Sequence, residues 1–219
     1  MFMKIIIKLR NKIYHGMKKN WPLKSTWQKL IDFTIMERPA RFNHPSHQVI
    51  IGVLLRVMKR NKFSFLDCGV LSAVTVRKLI RTSLNVTYCG IDISNSVIDN
   101  CKKRFPQITW QAMDVQNLKF EDETFDVVLV RHVLEHLPYY DKAIREVRRV
   151  ARKYVLLCLF NPLREVDILK QQTKYGGLYH CNVYGRDDFL TCLNGQFSSV
   201  EEIYIKDLQR DNQLFICTV

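Results

Sequence analysis

The run Phe125-Asp126-Val127-Val128-Leu129-Val130 is the tightest constraint on what this chain can fold into. Side chains on a strand alternate between its two faces. From Val127 onward both faces are apolar, so this strand must be covered on both sides. That is the state of a parallel strand with helices above and below it. Runs of similar character occur at 63–68, 86–91, 108–113 and 154–160. Between them, helical spacing is predicted over 75–81, 95–104 and 139–151, the last with Ala143, Ile144, Val147 and Val150 on one face. Strands alternating with helices imply right-handed crossovers and a parallel, doubly wound α/β sheet. A further helix is predicted over 186–194, then strands at about 197–205 and 213–219. Their connection, 206–212, is too short for a crossover helix, so they form a hairpin and the final strand runs antiparallel.

The first 62 residues read differently. They hold 14 Lys and Arg against only Asp32 and Glu37, whereas 63–219 carries 20 basic and 19 acidic residues. The formal net charge of +13 is therefore an N-terminal property. We read 1–62 as a basic helical extension and 63–219 as the α/β domain. Within 1–20, Phe2, Ile6, Leu9, Ile13 and Met17 share one helical face, with lysines on the others. Such a helix suits an anionic membrane surface. It suits equally well packing on the domain, or contact with RNA, for which the local charge is the support. Trp21-Pro22 ends it, and helices are predicted over 25–36 and 46–60.

The longest apolar run, 49–55, is far short of the ~20 residues needed to cross a bilayer. The apolar stretch at 5–7 is too short for a secretory signal. Seven cysteines, with no Cys-x-x-Cys pair, read as reduced core residues in a cytosol-like compartment and offer no metal site. The expected location is cytoplasmic, or peripheral at a membrane if the 1–20 helix is used there.

In an open α/β sheet, ligands bind beyond the carboxyl ends of the strands. The residues there are Asp67 and Gly69 after the first strand, Asp92 after the second, Asp114 after the third, and Arg131-His132 after the fourth. An acid after the second strand can accept both hydroxyls of a ribose. One after the third can accept an exocyclic amine. Any one of them alone could be a cap or turn former.

The string from Phe125 through Arg131-His132-Val133-Leu134-Glu135-His136-Leu137, followed by a helix and a strand, resembles the fourth motif of class I S-adenosylmethionine-dependent methyltransferases of the type 11 group. The resemblance spans about 63–160. It implies a Rossmann-like seven-stranded sheet with the last strand reversed, and S-adenosylmethionine as cofactor. It implies that Asp67 and Gly69 surround the methionine moiety and that Asp92 binds ribose, with Ile93 against adenine. It further implies that Asp114 meets the adenine amine beside Val115, and that Arg131 and His132 face cofactor and substrate.

Two departures stand out. Leu71 and Ala73 replace the second and third glycines of the usual Asp-x-Gly-x-Gly-x-Gly motif, and Ala151-Arg152-Lys153 replaces a Pro-Gly-Gly turn. Glycine serves where a backbone takes positive φ or approaches a ligand closely. Either Leu71 packs elsewhere, or cofactor binding is weakened and the domain acts as a binding module. For the acceptor, a small molecule or a lipid- or glycan-linked group is expected, with RNA as the alternative. His132, His136 and His180 are the candidate bases.

Overall fold

The computed structural model describes residues 44–59, 61–174, 177–208 and 210–219. The amphipathic stripe of 1–20 and the helix predicted over 25–36 lie outside the described residues.

The chain runs α1 (Pro45–Met58), β1 (Phe63–Cys68), α2 (Val74–Leu79), β2 (Val86–Asp92), α3 (Asn95–Arg104), β3 (Thr109–Ala112) and β4 (Phe125–Arg131). It continues through α4 (Asp141–Val150), β5 (Ala151–Leu159), β6 (Gln171–Lys174), β7 (Gly177–His180), α5 (Arg186–Asn194), β8 (Ser199–Ile205) and β9 (Asn212–Thr218). Seven strands form one sheet in the order β3-β2-β1-β4-β5-β9-β8, with β6-β7 as a separate hairpin. β1 pairs in parallel with both β2 and β4, and β9 runs antiparallel to β5 and β8. This is the doubly wound, Rossmann-like sheet with its last strand reversed.

Alternation along the strands divides the core in two. Leu66 and Cys68 of β1 face a cluster with Ala143, Ile144 and Val147 of α4 and Phe189 of α5. Phe63 and Phe65 face the opposite cluster, with Ile50 and Leu54 of α1, Val76 of α2 and Val97 of α3. α1 therefore packs on the sheet itself, although its sequence lies in the basic segment. Its start is set locally: the His44 side chain accepts from Ser46 N at 3.2 Å and Pro45 supplies a preset φ. α3 is capped by Ser94, whose Oγ accepts from Val97 N at 3.3 Å, and its last turn carries Lys102, Lys103 and Arg104 against the helix dipole.

Element ends differ from the sequence reading where propensity was the only guide. β3 is four residues instead of six, because it is an edge strand with Trp110 as its one buried side chain. β5 starts at Ala151, three residues earlier than expected, because Ala151 pairs with Phe125 across a register shift. The segment 161–185, left without structure by the sequence, forms the β6-β7 hairpin and is tied to the loop after β4. Asn182 N donates to Glu135 O at 2.9 Å, and Asn182 Nδ2 to Leu137 O at 2.8 Å. Among the described residues no helix is long and apolar enough to cross a membrane.

Candidate active site

The sheet order reverses between β1 and β4, and the carboxyl ends of the strands on either side splay apart there. A cavity of about 700 Å³ occupies that position. It is lined by every site residue singled out above except His180.

One half of the wall is carboxylate. Asp67, at the end of β1, is buried and accepts a hydrogen bond from Tyr88 Oη at 2.6 Å; burial pushes its carboxyl up from the usual range. Asp92, at the end of β2, accepts from Ser94 N at 3.0 Å and from Leu71 N at 3.2 Å. Burial moves it up to about 6, against the downward pull of those two backbone donors. Asp114, after β3, accepts from Gln116 N at 2.8 Å in a tight turn. Ile93 and Val115 line the wall beside these two acids.

The loop from Gly69 to Ala73 explains how the motif survives its substitutions. Gly69, Leu71 and Ala73 all have positive φ, at 81°, 43° and 54°. A side chain at Gly69 would collide with Val133. Leu71 and Ala73 thus hold the left-handed backbone that glycine would hold freely, at a cost of roughly 1–2 kcal/mol each. The Leu71 side chain packs against the core cluster that contains Ala73 and Cys101, and its N–H still reaches Asp92. Ala73 is the left-handed N-cap of α2.

The other half of the wall is cationic and imidazole. Arg131, half-buried at the end of β4, donates from Nε to Ser46 Oγ of α1 at 2.9 Å. His132 follows in a left-handed conformation, φ 57°, with its N–H anchored on Cys158 O at 2.8 Å. Asn212 Nδ2 donates to Arg210 O at 3.1 Å, which turns Asn212 Oδ1 toward His132 Nε2 at 2.9 Å. Since that oxygen only accepts, the proton of the neutral ring sits on Nε2 and the lone pair on Nδ1. His136 Nδ1 donates to His180 O at 2.8 Å. Burial pushes both rings below the ordinary imidazole value, so both are neutral at pH 7.

His180 itself is buried and is not among the residues that line the cavity; its backbone carbonyl accepts from His136 Nδ1. Of this segment, its neighbours Tyr179 and Cys181 line the cavity.

The sequence reading missed His47, Arg210 and Asn212. His47 lines the cavity from α1, is 4% exposed, and its Nδ1 has no hydrogen-bond partner among the described residues. Burial, with Arg131 and His44 nearby, lowers this ring to about 2. A buried polar atom left without a partner costs about 1–3 kcal/mol. No spacing rule could have found these residues, because their partners lie on other elements.

Residues 66–159 match the family model described as a methyltransferase domain. The seven-stranded sheet with its last strand reversed is the Rossmann-like fold shared by class I methyltransferases, and this match lies across its β1–β5 part. Among curated proteins, the chain is 38% identical over 76 residues to the phthiotriol/phenolphthiotriol dimycocerosates methyltransferase of Mycobacterium tuberculosis, covering 34% of this chain and 28% of that protein. It is 23% identical over 155 residues to the ubiquinone/menaquinone biosynthesis C-methyltransferase of Campylobacter jejuni, covering 68% of this chain and 62% of that one. The match spans about a third or less of the length of the mycobacterial relatives. Among solved structures, PH0226 from Pyrococcus horikoshii superposes with a TM-score of 0.61 at 18% identity, covering 81% of this chain and 93% of that one. Magnesium protoporphyrin IX methyltransferase from Synechocystis, solved with bound SAM, gives 0.59 at 13% identity, covering 79% and 77%.

Proposed function

We propose that this protein transfers a methyl group from S-adenosylmethionine to a small-molecule or lipid- or glycan-linked acceptor. The observation that carries the reading is the meeting of Asp67, Asp92 and Asp114 on one wall of a single cavity at the switch point. The residues fit the cofactor. A carboxylate offers about four lone-pair sites, and the backbone N–H groups of Ser94, Leu71 and Ile93 use part of that capacity on Asp92. The remaining capacity suits ribose hydroxyls. Asp114 would take the adenine amine, Ile93 and Val115 the ring faces, and Gly69 with Asp67 the methionine end. When bound, the cofactor supplies an electrophilic methyl group on its sulfonium.

The chain's own residues then orient and desolvate an acceptor entering from the imidazole side. His132 is held in one tautomer by Asn212, with Nδ1 as a proton acceptor. His136 is held by the His180 carbonyl. The lipid and quinone methyltransferases among the relatives support an acceptor of modest size with apolar parts. The substitutions at Leu71 and Ala73 favour a second reading, a binding module without catalysis, because they store strain in the loop that meets the cofactor. Residues 1–20 remain a proposed contact with an anionic surface. Calorimetric titration with S-adenosylmethionine and S-adenosylhomocysteine tests the central reading. Absence of binding to either would overturn it, and binding without turnover on any acceptor would favour the second.

A further inference from the structure

The cavity lining includes two guanidinium groups, Arg131 and Arg210, besides its imidazoles. Asp67, Asp92 and Asp114 are the acids that line the cavity; Asp92 and Asp114 belong to β2 and the loop after β3, and Asp67 to β1, the strand beside β4. Arg131 uses Nε on Ser46 Oγ, and among the described residues no carboxylate lies within ion-pair distance of it. Asp67 and Glu135 act on it through space, but each is engaged elsewhere: Asp67 by Tyr88 Oη, Glu135 by Phe160 N. Arg210 stands at the mouth with its guanidinium 5.2 Å from the centre of the Phe160 ring. Its loop neighbour Lys206 is paired with Asp211 at 2.7 Å, and Arg210 has no such partner among the described residues. His44 also lines the cavity, and its Nε2 lies 3.5 Å from Asp207, which does not line it. His47, by contrast, brings a buried ring nitrogen with no partner among the described residues to the same wall.

Two guanidinium groups, a buried unpartnered imidazole nitrogen and an aromatic face form a built receptor for a planar group that ends in an oxyanion. We infer that the acceptor subsite, resting on the methyl-transfer reading above, recognises a carboxylate or similar oxyanion on the acceptor through Arg131, Arg210 and His47. Phe160 packs on the body of that molecule. The same carboxylate chemistry could also come from the cofactor's own methionine end, so the test separates the two sources.

The probes are 4-hydroxybenzoate and its neutral isostere 4-hydroxybenzamide, titrated by ligand-observed NMR into the full chain with and without S-adenosylhomocysteine. The carboxylate should bind about tenfold or more tighter than the amide, the size of one charge-assisted contact. Arg210→Gln and Arg131→Gln should each bring that ratio toward one. Arg210 is exposed, so its variant keeps the test open if Arg131→Gln does not fold. In parallel, S-adenosylhomocysteine and methylthioadenosine, which lacks the amino-acid end, are titrated into the same variants. Both variants should keep the wild-type preference between these two ligands. If instead Arg131→Gln weakens S-adenosylhomocysteine alone, Arg131 serves the cofactor and the inference is overturned. Equal binding of benzoate and benzamide by the wild type overturns it also. Carboxylate selectivity without any binding of S-adenosylhomocysteine would uphold the oxyanion subsite and overturn the methyl-transfer reading alone.

Discussion

Among the residues lining the cavity, Asp67 and Asp92 sit at the ends of β1 and β2 and Asp114 just past β3, whereas Arg131 ends β4, His132 follows it, Arg210 precedes β9 and Asn212 begins it. The acidic side is organised over short to moderate chain separations, with Tyr88 Oη reaching Asp67 and Leu71 N reaching Asp92 across 21 residues. Ser94 N reaches Asp92 from two residues away, and Gln116 N reaches Asp114 from two. The cationic side is organised by distant chain. Arg131 meets Ser46 across 85 residues, His132 meets Asn212 across 80, and His136 meets the His180 carbonyl across 44. The difference teaches that the acidic side needs only neighbouring strand-turn units, whereas the cationic side exists only once the whole sheet has closed.

The sharpest break of that comparison is Asp92→Ala. Two charge-assisted hydrogen bonds at roughly 1.5–3 kcal/mol each predict at least a hundredfold loss of S-adenosylhomocysteine affinity by calorimetry. A far-ultraviolet circular dichroism spectrum would confirm that the fold persists. If affinity is retained, the acidic half does not hold the ribose.

Acidification should act on the same contact more gently. Asp92 is raised to about 6 by burial, and a ribose hydroxyl donates best to the ionised form. Affinity should therefore be on a plateau above pH 7 and fall about tenfold by pH 5, one unit below that value. Asp92→Asn should bind weakly at every pH. A pH-independent wild type would show that Asp92 stays ionised or does not touch the ligand.

Glu135 tests the boundary between the halves. It is buried behind the imidazoles, and burial raises it to about 8, so it is mostly neutral at pH 7. Its unfolded carboxyl ionises near 4.3, so the folded state loses stability as pH rises from there through about 8. Glu135→Gln keeps the shape without that loss. Its melting temperature should gain on the wild type steadily between about pH 5 and pH 8. A constant difference across that range would place the carboxyl in a better-solvated position.

The smallest effect is expected at Leu71→Gly. Relief of the positive φ offsets the lost packing of a partly buried leucine, and Leu71 N already reaches Asp92. S-adenosylhomocysteine affinity should stay within about threefold of wild type, less than 1 kcal/mol. A gain beyond tenfold would show that the side chain obstructs the cofactor.

Much of the fold was legible before any coordinates. The two-faced apolar strand 127–130, the helical face of Ala143, Ile144, Val147 and Val150, and the short 206–212 connection each express a local rule: side-chain period, helical period and loop length. The three acids were legible for the same reason, since a position at a strand end follows from the strand. The 161–185 segment was not, because β6 and β7 are four-residue strands stabilised by contacts with the loop after β4. Nor was the strain at Ala73, since φ is not written in residue type where alanine replaces glycine.

By itself, then, the sequence determined the doubly wound sheet, its reversed last strand and the acidic wall, because local periodicity and chain connectivity are short-range properties. Tertiary structure alone decided that His47 of α1, Arg131 of β4 and Arg210 before β9 share the other wall. The reversal of β9 brings the start of that strand, with Asn212, to the same edge as the carboxyl ends of β1 and β4. Such a meeting depends on which strands are neighbours, and neighbour order is set by the summed burial of two core clusters, which no local stretch of chain encodes.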